Sequence, residues 1–192
     1  MSRIGIYGGT FDPVHHGHLI TAQSVRELRN LDKIIFIPSF ISPHKEEFKI
    51  SDAVHRINML KIAIKNIDYF DWSDFEISRE NVSYTIDTLH EMKKHYDEIE
   101  LILGADNMKT FYKWRSPEEI IKLATLIVLR RRTDYEPGGD NNYEKNAVFL
   151  ETPRIDISGT IIRQRVRQGL PIDFLVTRGV KEYIYDLKLY KD

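Results

Sequence analysis

The chain has 192 residues, a formal net charge of −1, no cysteine, and 42% hydrophobic and 30% charged residues. That length suits a single domain spanning 1–192 that buries roughly 70% of its unfolded surface. The lack of cysteine excludes disulfides, thiolate metal sites and a cysteine nucleophile, and the near-zero charge argues against a general nucleic-acid binder, which carries a basic excess.

Arg3 to Tyr7 is short and apolar and ends in Gly8-Gly9, the pattern of a buried strand entering a tight turn. This apolar start is too short for a secretory signal. No stretch approaches the ~20 apolar residues of a membrane span. The expected setting is cytoplasmic, with no membrane partner. Leu19, Ala22, Val25 and Leu28 recur at helical spacing, and Lys33 to Pro38 reads as a second strand. Val54, Ile57, Leu60 and Ile64 mark a second helix. Tyr69 to Ile77 alternates like a strand, and Tyr84 to Tyr96 reads as a helix. Glu100 to Leu103 and Leu126 to Leu129 are further buried strands. Between them, Ser116, Pro117 and Glu119 form the pattern of an N-cap, a first-turn proline and a capping box. Ala147 to Leu150 is a last short strand. A helix begins at Ser158 and can end at Gly169, and Val180 to Leu187 is the final helix. Ser39 to Ile50 and Arg131 to Lys145 read as long loops.

Alternating strands and helices predict an α/β fold: a Rossmann-like, doubly wound parallel sheet with helices on both faces. Residues 158–192 form its small C-terminal helical part. Such a sheet binds its ligand at the carboxyl ends of the strands, near the point where strand order reverses.

The exit of the first strand carries GGTFDPVHHGH, from Gly8 to His18. A glycine pair lets the backbone approach a ligand closely. The helix N-terminus that follows offers unpaired N–H groups and partial positive charge, which suit a phosphate. Gly17 leaves room for a phosphate against the backbone. The string lacks the Gly-Lys-Ser/Thr of a Walker loop and the third glycine of the dinucleotide fingerprint. Two histidines without a carboxylate pair do not read as a hydrolytic metal site.

GGTFDPVHHGH resembles the signature of the nucleotidylyltransferase superfamily, in which His or Thr, any residue, Gly and His recur; His15, Gly17 and His18 match. Ile157 to Arg163, ISGTIIR, resembles its second motif, with Ser158, Thr160 and Arg163 matching and Gly159 replacing a serine. That departure removes one hydroxyl and is expected to be a tuning change. PSFISPHK (Pro38 to Lys45), SYTIDTL (Ser83 to Leu89), GADNMKTFYKW (Gly104 to Trp114) and the ending VKEYIYDLKLY are similar to the bacterial nicotinate mononucleotide adenylyltransferases. Thr177 stands where that family usually has proline.

The resemblance implies transfer of AMP from ATP to nicotinate mononucleotide, with release of pyrophosphate, as a step of NAD biosynthesis. It implies that His15 and His18 bind and polarise the ATP phosphates, with His18 as the transition-state contact. Arg163 and the Thr160 backbone would hold the β- and γ-phosphates beside Ser158. Lys45 would reach phosphate from the Ser39–Ile50 loop, with His44 on the mononucleotide side. Gly8, Gly9, Thr10, Phe11 and Gly17 would line the ATP cleft, and Asp106 after Gly104 would accept from a ribose hydroxyl. Mg²⁺ is expected to arrive with ATP, held mainly by its phosphates and not by protein side chains. Tyr84 and Thr85 open a helix whose N–H groups suit the nicotinate carboxylate, and Trp114 can stack on the cationic pyridine ring.

Elsewhere the expectation is structural. His55, His90 and His95 read as surface or packing residues, Trp72 as core, Arg130 to Arg132 as solvated, and Asp12 as a local Asx turn. The rivals are a pantetheine-phosphate or cytidylyl enzyme, and a non-catalytic nucleotide sensor; a sensor would be expected to lose His18 or Arg163. The oligomeric state is left open, a homo-oligomer included.

Overall fold

The computed structural model describes residues 2–40, 50–130 and 142–191. Six parallel strands form one sheet. They are β1 (Arg3–Gly9), β2 (Lys33–Pro38), β3 (Phe70–Trp72), β4 (Glu98–Gly104), β5 (Thr125–Arg130) and β6 (Ala147–Glu151). Their order is β3-β2-β1-β4-β5-β6. β1 pairs β2 on one side, with Gly8 opposite Ile37, and β4 on the other, with Tyr7 opposite Ile102. Strand order therefore reverses between β1 and β4, and a crevice opens beyond their carboxyl ends.

The helices are α1 (His16–Arg29), α2 (Ala53–Ile64), α3 (Phe75–Ser78), α4 (Thr85–Met92), α5 (Ala105–Thr110), α6 (Pro117–Leu123), α7 (Gly159–Arg167) and α8 (Arg178–Asp186). Successive residues of a strand point to opposite faces, so a strand buried on both sides feeds two cores. Ile34 and Phe36 join one core with Val25 of α1, Met59 of α2, Ile162 of α7 and Ile184 of α8. Ile35 and Ile37 join the other, with Leu89 of α4, Met108 of α5 and Ile120 of α6. The expected doubly wound fold is thus present, and the C-terminal helices pack into the first core. Among the described residues no helix is long and apolar enough to cross a membrane.

Four expectations change. The strand foreseen over Tyr69 to Ile77 is only Phe70–Trp72, paired to Ile34–Phe36 at the sheet edge. Ser73 Oγ then accepts the Phe75 N–H at 3.3 Å and turns the chain into α3. α4 ends at Met92, and residues 93–95 continue as turns. Ser116 sits in left-handed backbone (φ 53°) without a side-chain cap, although Pro117 does open α6. Glu119 pairs instead with His90, at 3.0 Å. The buried stripe of α2 is Arg56, Met59, Leu60, Ala63 and Ile64, whereas Val54 is exposed; Leu28 on α1 is exposed too. At α8, Thr177 caps the helix by accepting the Val180 N–H at 3.4 Å.

Candidate active site

The turn after β1 places two histidines at the mouth of the crevice. His15 is the N-cap of α1, and His18 lies in its first turn. Their rings stack with centroids 3.7 Å apart. His18 Nδ1 accepts the His15 backbone N–H at 3.3 Å. An acceptor at Nδ1 puts the proton of the neutral ring on Nε2, so His18 presents a donor at its far end. Phe11 and Tyr7 pack edge-on to the His18 ring, at 5.0 and 6.0 Å between centroids.

His15 is 6% exposed. Burial lowers its pKa to about 4, aided by the neighbouring His16. His15 is therefore a neutral imidazole near pH 7. Gly17 lies against this ring: a Cβ there would stand 3.0 Å from His15 Nδ1. In this structure the glycine makes room for the imidazole.

The other glycines of the cleft differ. Phe11 has φ 51° and folds its ring back onto Gly9, where a Cβ would meet ring carbon at 3.0 Å. Gly8 and Gly104 have nothing within 4 Å of an added Cβ. These two stand at the exits of β1 and β4, the two strands that flank the reversal point. Thr10 is half-buried between Gly9 and Phe11. Asp106 lies in the first turn of α5 with an exposed side chain, 3.9 Å from Lys109.

α7 brings the second motif to the same turn. Ser158 is its N-cap and accepts the Ile161 N–H at 3.2 Å. Arg163 Nη1 donates to the Asp12 carbonyl at 2.6 Å, and Nη2 to Thr160 Oγ1 at 3.3 Å. A Cβ on Gly159 would stand 2.7 Å from that Asp12 carbonyl oxygen. A serine at 159 would therefore displace the turn, so the departure at Gly159 is a steric match to Asp12 and more than a lost hydroxyl. Asp12 is no local Asx turn either. Its carboxylate accepts the Ser51 N–H at 3.1 Å and the Tyr190 hydroxyl at 2.6 Å, both distant in sequence.

Tyr84 and Thr85 lie where expected, as N-cap and first residue of α4. Arg115 covers the Tyr84 ring at 4.8 Å. Asp87, in the same opening turn, is flanked by Arg79 at 3.3 Å and Arg115 at 3.9 Å. Behind this turn the Phe40 N–H bonds Ser83 Oγ at 3.0 Å, and Thr88 Oγ1 donates to Glu76 at 2.6 Å. Burial raises the pKa of Glu76, opposed by its bonds to Thr88 and Ser83. Trp114 is half-buried and tilts against Phe111, 5.3 Å between centroids.

His44 and Lys45 lie outside the described residues, as do Arg131 and Arg132. His90 and His95 have exposed side chains, while His55 Nδ1 meets the Tyr183 hydroxyl at 3.0 Å between α2 and α8. Trp72 is half-buried, packs against the edge of the first core and carries Lys61 Nζ over its ring at 4.1 Å. A hollow of about 400 Å³ between β3 and the end of α4, lined by Trp72, Phe75 and Tyr96 among others, is lined by none of the expected substrate-binding or catalytic residues.

Arg56 was not foreseen. It is 2% exposed and donates to three carbonyls: Thr10 at 2.9 Å, Ser39 at 2.7 Å and Ser51 at 3.1 Å. The available signal was a lone arginine three and four residues before Met59 and Leu60.

Residues 6–165 match the cytidylyltransferase-like family. The chain is 37% identical over 193 residues to "Nicotinate-nucleotide adenylyltransferase" of Bacillus subtilis, covering all of both chains. It is 38% identical over 193 residues, again covering all of both, to "Probable nicotinate-nucleotide adenylyltransferase" of Bacillus pumilus. A solved structure of Plasmodium falciparum nicotinic acid mononucleotide adenylyltransferase complexed with NaAD has a TM-score of 0.76 at 22% identity, over 99% of this chain and 98% of that one; at that identity it supports the fold alone. A histidine pair and an arginine of α7 meeting at the reversal point, in a chain similar from end to end to these enzymes, lead to one assignment: the chain belongs to the nicotinate-nucleotide adenylyltransferases of the cytidylyltransferase-like family.

Proposed function

We propose that the chain transfers AMP from ATP to nicotinate mononucleotide, giving nicotinate adenine dinucleotide and pyrophosphate. A phosphate oxygen of the mononucleotide attacks the α-phosphorus, and the bond from that phosphorus to the bridging oxygen breaks. The electron pair leaves with pyrophosphate. The nucleophile is already anionic, so no general base is required. The protein's task is to align two anions and to offset charge on the α-phosphoryl group.

The observation that carries this reading is the meeting of His15, His18 and Arg163 on the turn after β1. His18, with its proton on Nε2, is the donor aimed at the α-phosphoryl oxygens. His15 assists as a neutral donor, because burial keeps it uncharged. Arg163 and the start of α7, with Ser158 and Thr160, receive the outer phosphates, and Lys45 joins them. Gly8 and Gly104 leave the crevice open for the nucleotide, and Asp106 meets its ribose. The imidazole and guanidinium donors suit phosphate oxygens. The carboxylate on this turn, Asp12, is already engaged by Ser51 and Tyr190. Mg²⁺ would accordingly enter as the ATP complex and supply further charge neutralisation.

The opening turn of α4, with Tyr84, Thr85 and His44, takes the mononucleotide, and Trp114 takes its ring. N–H groups at a helix start favour a carboxylate over an amide. Two arginines against one aspartate, Arg79 and Arg115 around Asp87, add to that preference. Incubation with ATP, Mg²⁺ and either mononucleotide, followed by mass analysis, tests the reading. The acid form is expected to give the dinucleotide and pyrophosphate, with kcat/KM higher than for the amide by up to about 10⁴. Release of orthophosphate, or better use of CTP than ATP, would overturn the reaction. Equal efficiency with the amide would overturn the reading of α4.

A further inference from the structure

Arg56 and Tyr190, from α2 and from the C-terminus, both reach the turn that carries the proposed phosphate-binding groups. Tyr190 lies near the C-terminus in left-handed backbone, φ 64°. Its hydroxyl donates to Asp12 Oδ1 at 2.6 Å and touches Met59 Sδ at 3.9 Å. Asp12 is 6% exposed. Burial, Asp12 and the hydrogen bond between them hold the Tyr190 hydroxyl in its protonated form. The same aspartate binds the Ser51 N–H through Oδ2, and its carbonyl receives Arg163. Arg56 completes the arrangement through the carbonyls of Thr10, Ser39 and Ser51.

Each contact is local, but together they form one chain of constraint. Tyr190 fixes the Asp12 carboxylate, the Asp12 carbonyl fixes the Arg163 guanidinium, and Arg56 fixes the residue on the other side of Phe11. Burial lowers the Arg56 pKa, and the nearby Asp12 carboxylate opposes that shift. Gly159 leaves the space that lets the Asp12 carbonyl lie against the start of α7. None of these contacts involves α4, where the mononucleotide base is placed.

We propose that Tyr190 and Arg56 are positioning residues for ATP, acting through Asp12 and Thr10 on Arg163 and the phosphate-binding turn. This rests on the assignment of that turn to ATP. A purely structural role would lower stability and affect both substrates alike. A positioning role here affects ATP alone.

The test uses the full chain with Tyr190→Phe, which keeps the ring and removes the donor. Losing one buried hydrogen bond to a charged acceptor should weaken ATP binding about tenfold. ATP affinity is read by calorimetry without the second substrate, and KM is read for each substrate. The expected result is a rise of at least fivefold in both Kd and KM for ATP, with KM for nicotinate mononucleotide within twofold of wild type. A smaller ATP effect, or an equal shift for both substrates, overturns the proposal. Arg56→Lys keeps the charge but loses the planar fork; it should give the same split and decides the matter if Tyr190→Phe does not fold. Wild-type protein that binds ATP but makes no dinucleotide would remove the reaction proposed above, and the calorimetric arm would still judge the network. Wild-type protein that binds no ATP overturns both.

Discussion

Glu100 lies buried near the amino ends of the strands, between Arg3 and Arg29, at 2.5 and 2.9 Å. Arg56 lies buried near the carboxyl ends, among three backbone carbonyls. Glu100 and Arg56 are each 2% exposed, and each loses water that its partners must replace. The partners differ in kind. At the amino end, charge meets charge: β4 is tied to β1 and to the last turn of α1, and the hydrogen bond from Arg29 to Glu100 raises the arginine's pKa. At the carboxyl end, the cation is satisfied by three main-chain carbonyls from two loops, those after β1 and after β2. An ion pair fixes two side chains, whereas a guanidinium among carbonyls fixes the course of the backbone. The second device sits where loops carry the groups proposed to bind substrate, and the first where only the sheet has to be held.

The comparison can be broken by changes that each end should feel differently. The largest effect is expected at His18. His18→Ala removes a donor aimed at developing charge, which costs about 3–4 kcal/mol, or a rate loss of about 10²–10³. His90→Ala, on an exposed side chain paired with Glu119, should leave single-turnover rates unchanged. Equal losses from the two would remove His18 from the chemistry.

The next effect is on stability and comes from His15. Its pKa falls from 6.5 to about 4 on folding. Between those values the unfolded chain binds a proton that the folded chain does not. Stability should therefore fall as pH drops from about 6.5 to about 4, by about 3 kcal/mol for this group, and this contribution is constant above that window. Denaturant melts of wild type and His15→Gln across pH 4–7 check it; parallel curves would show that His15 does not titrate as described.

The smallest effect belongs to the amino end. Glu100→Gln leaves Arg3 and Arg29 without their shared anion. Both arginines keep some contact with solvent, so the loss should be about 2 kcal/mol, a Tm drop of roughly 4–8 °C. KM for both substrates should stay at the wild-type value. A change in KM for ATP would mean that the two ends are not separable.

Much of this was legible in the sequence where a period or a motif carried it. The strands Arg3–Gly9 and Lys33–Pro38 are apolar on both faces, as strands of a covered parallel sheet must be, and the string from Gly8 to His18 marked the turn at which the histidine pair and Arg163 come together. The long-range bonds were not legible. Nothing in the spacing of Asp12, Ser51 and Tyr190 says that they meet, because only the fold brings the two ends of the chain together. Arg56 was hidden for a related reason. The apolar spacing of Val54, Ile57, Leu60 and Ile64 shares Leu60 and Ile64 with the buried stripe of α2, but that stripe starts at a charged residue. Pattern reading treats arginine as a surface mark and has no means of seeing three carbonyls waiting for it. The alternation of Tyr69 to Ile77 suits a longer strand than β3, because the Ser73 hydroxyl that turns the chain makes no periodic signal.

The bond from the His15 N–H to His18 Nδ1 has a consequence for what else could occupy position 18. In the proposed reaction that side chain has two employers: a helix start that needs an acceptor at the near nitrogen, and a phosphoryl oxygen that needs a donor at the far one. Asparagine can imitate the near atom, glutamine or lysine the far one, and neither does both in a rigid plane. Protonating the near nitrogen would turn the acceptor into a second donor and set it against the helix it caps. The position thus asks for an imidazole in one tautomer, so a chemist seeking a substitute would have to look outside the twenty natural side chains.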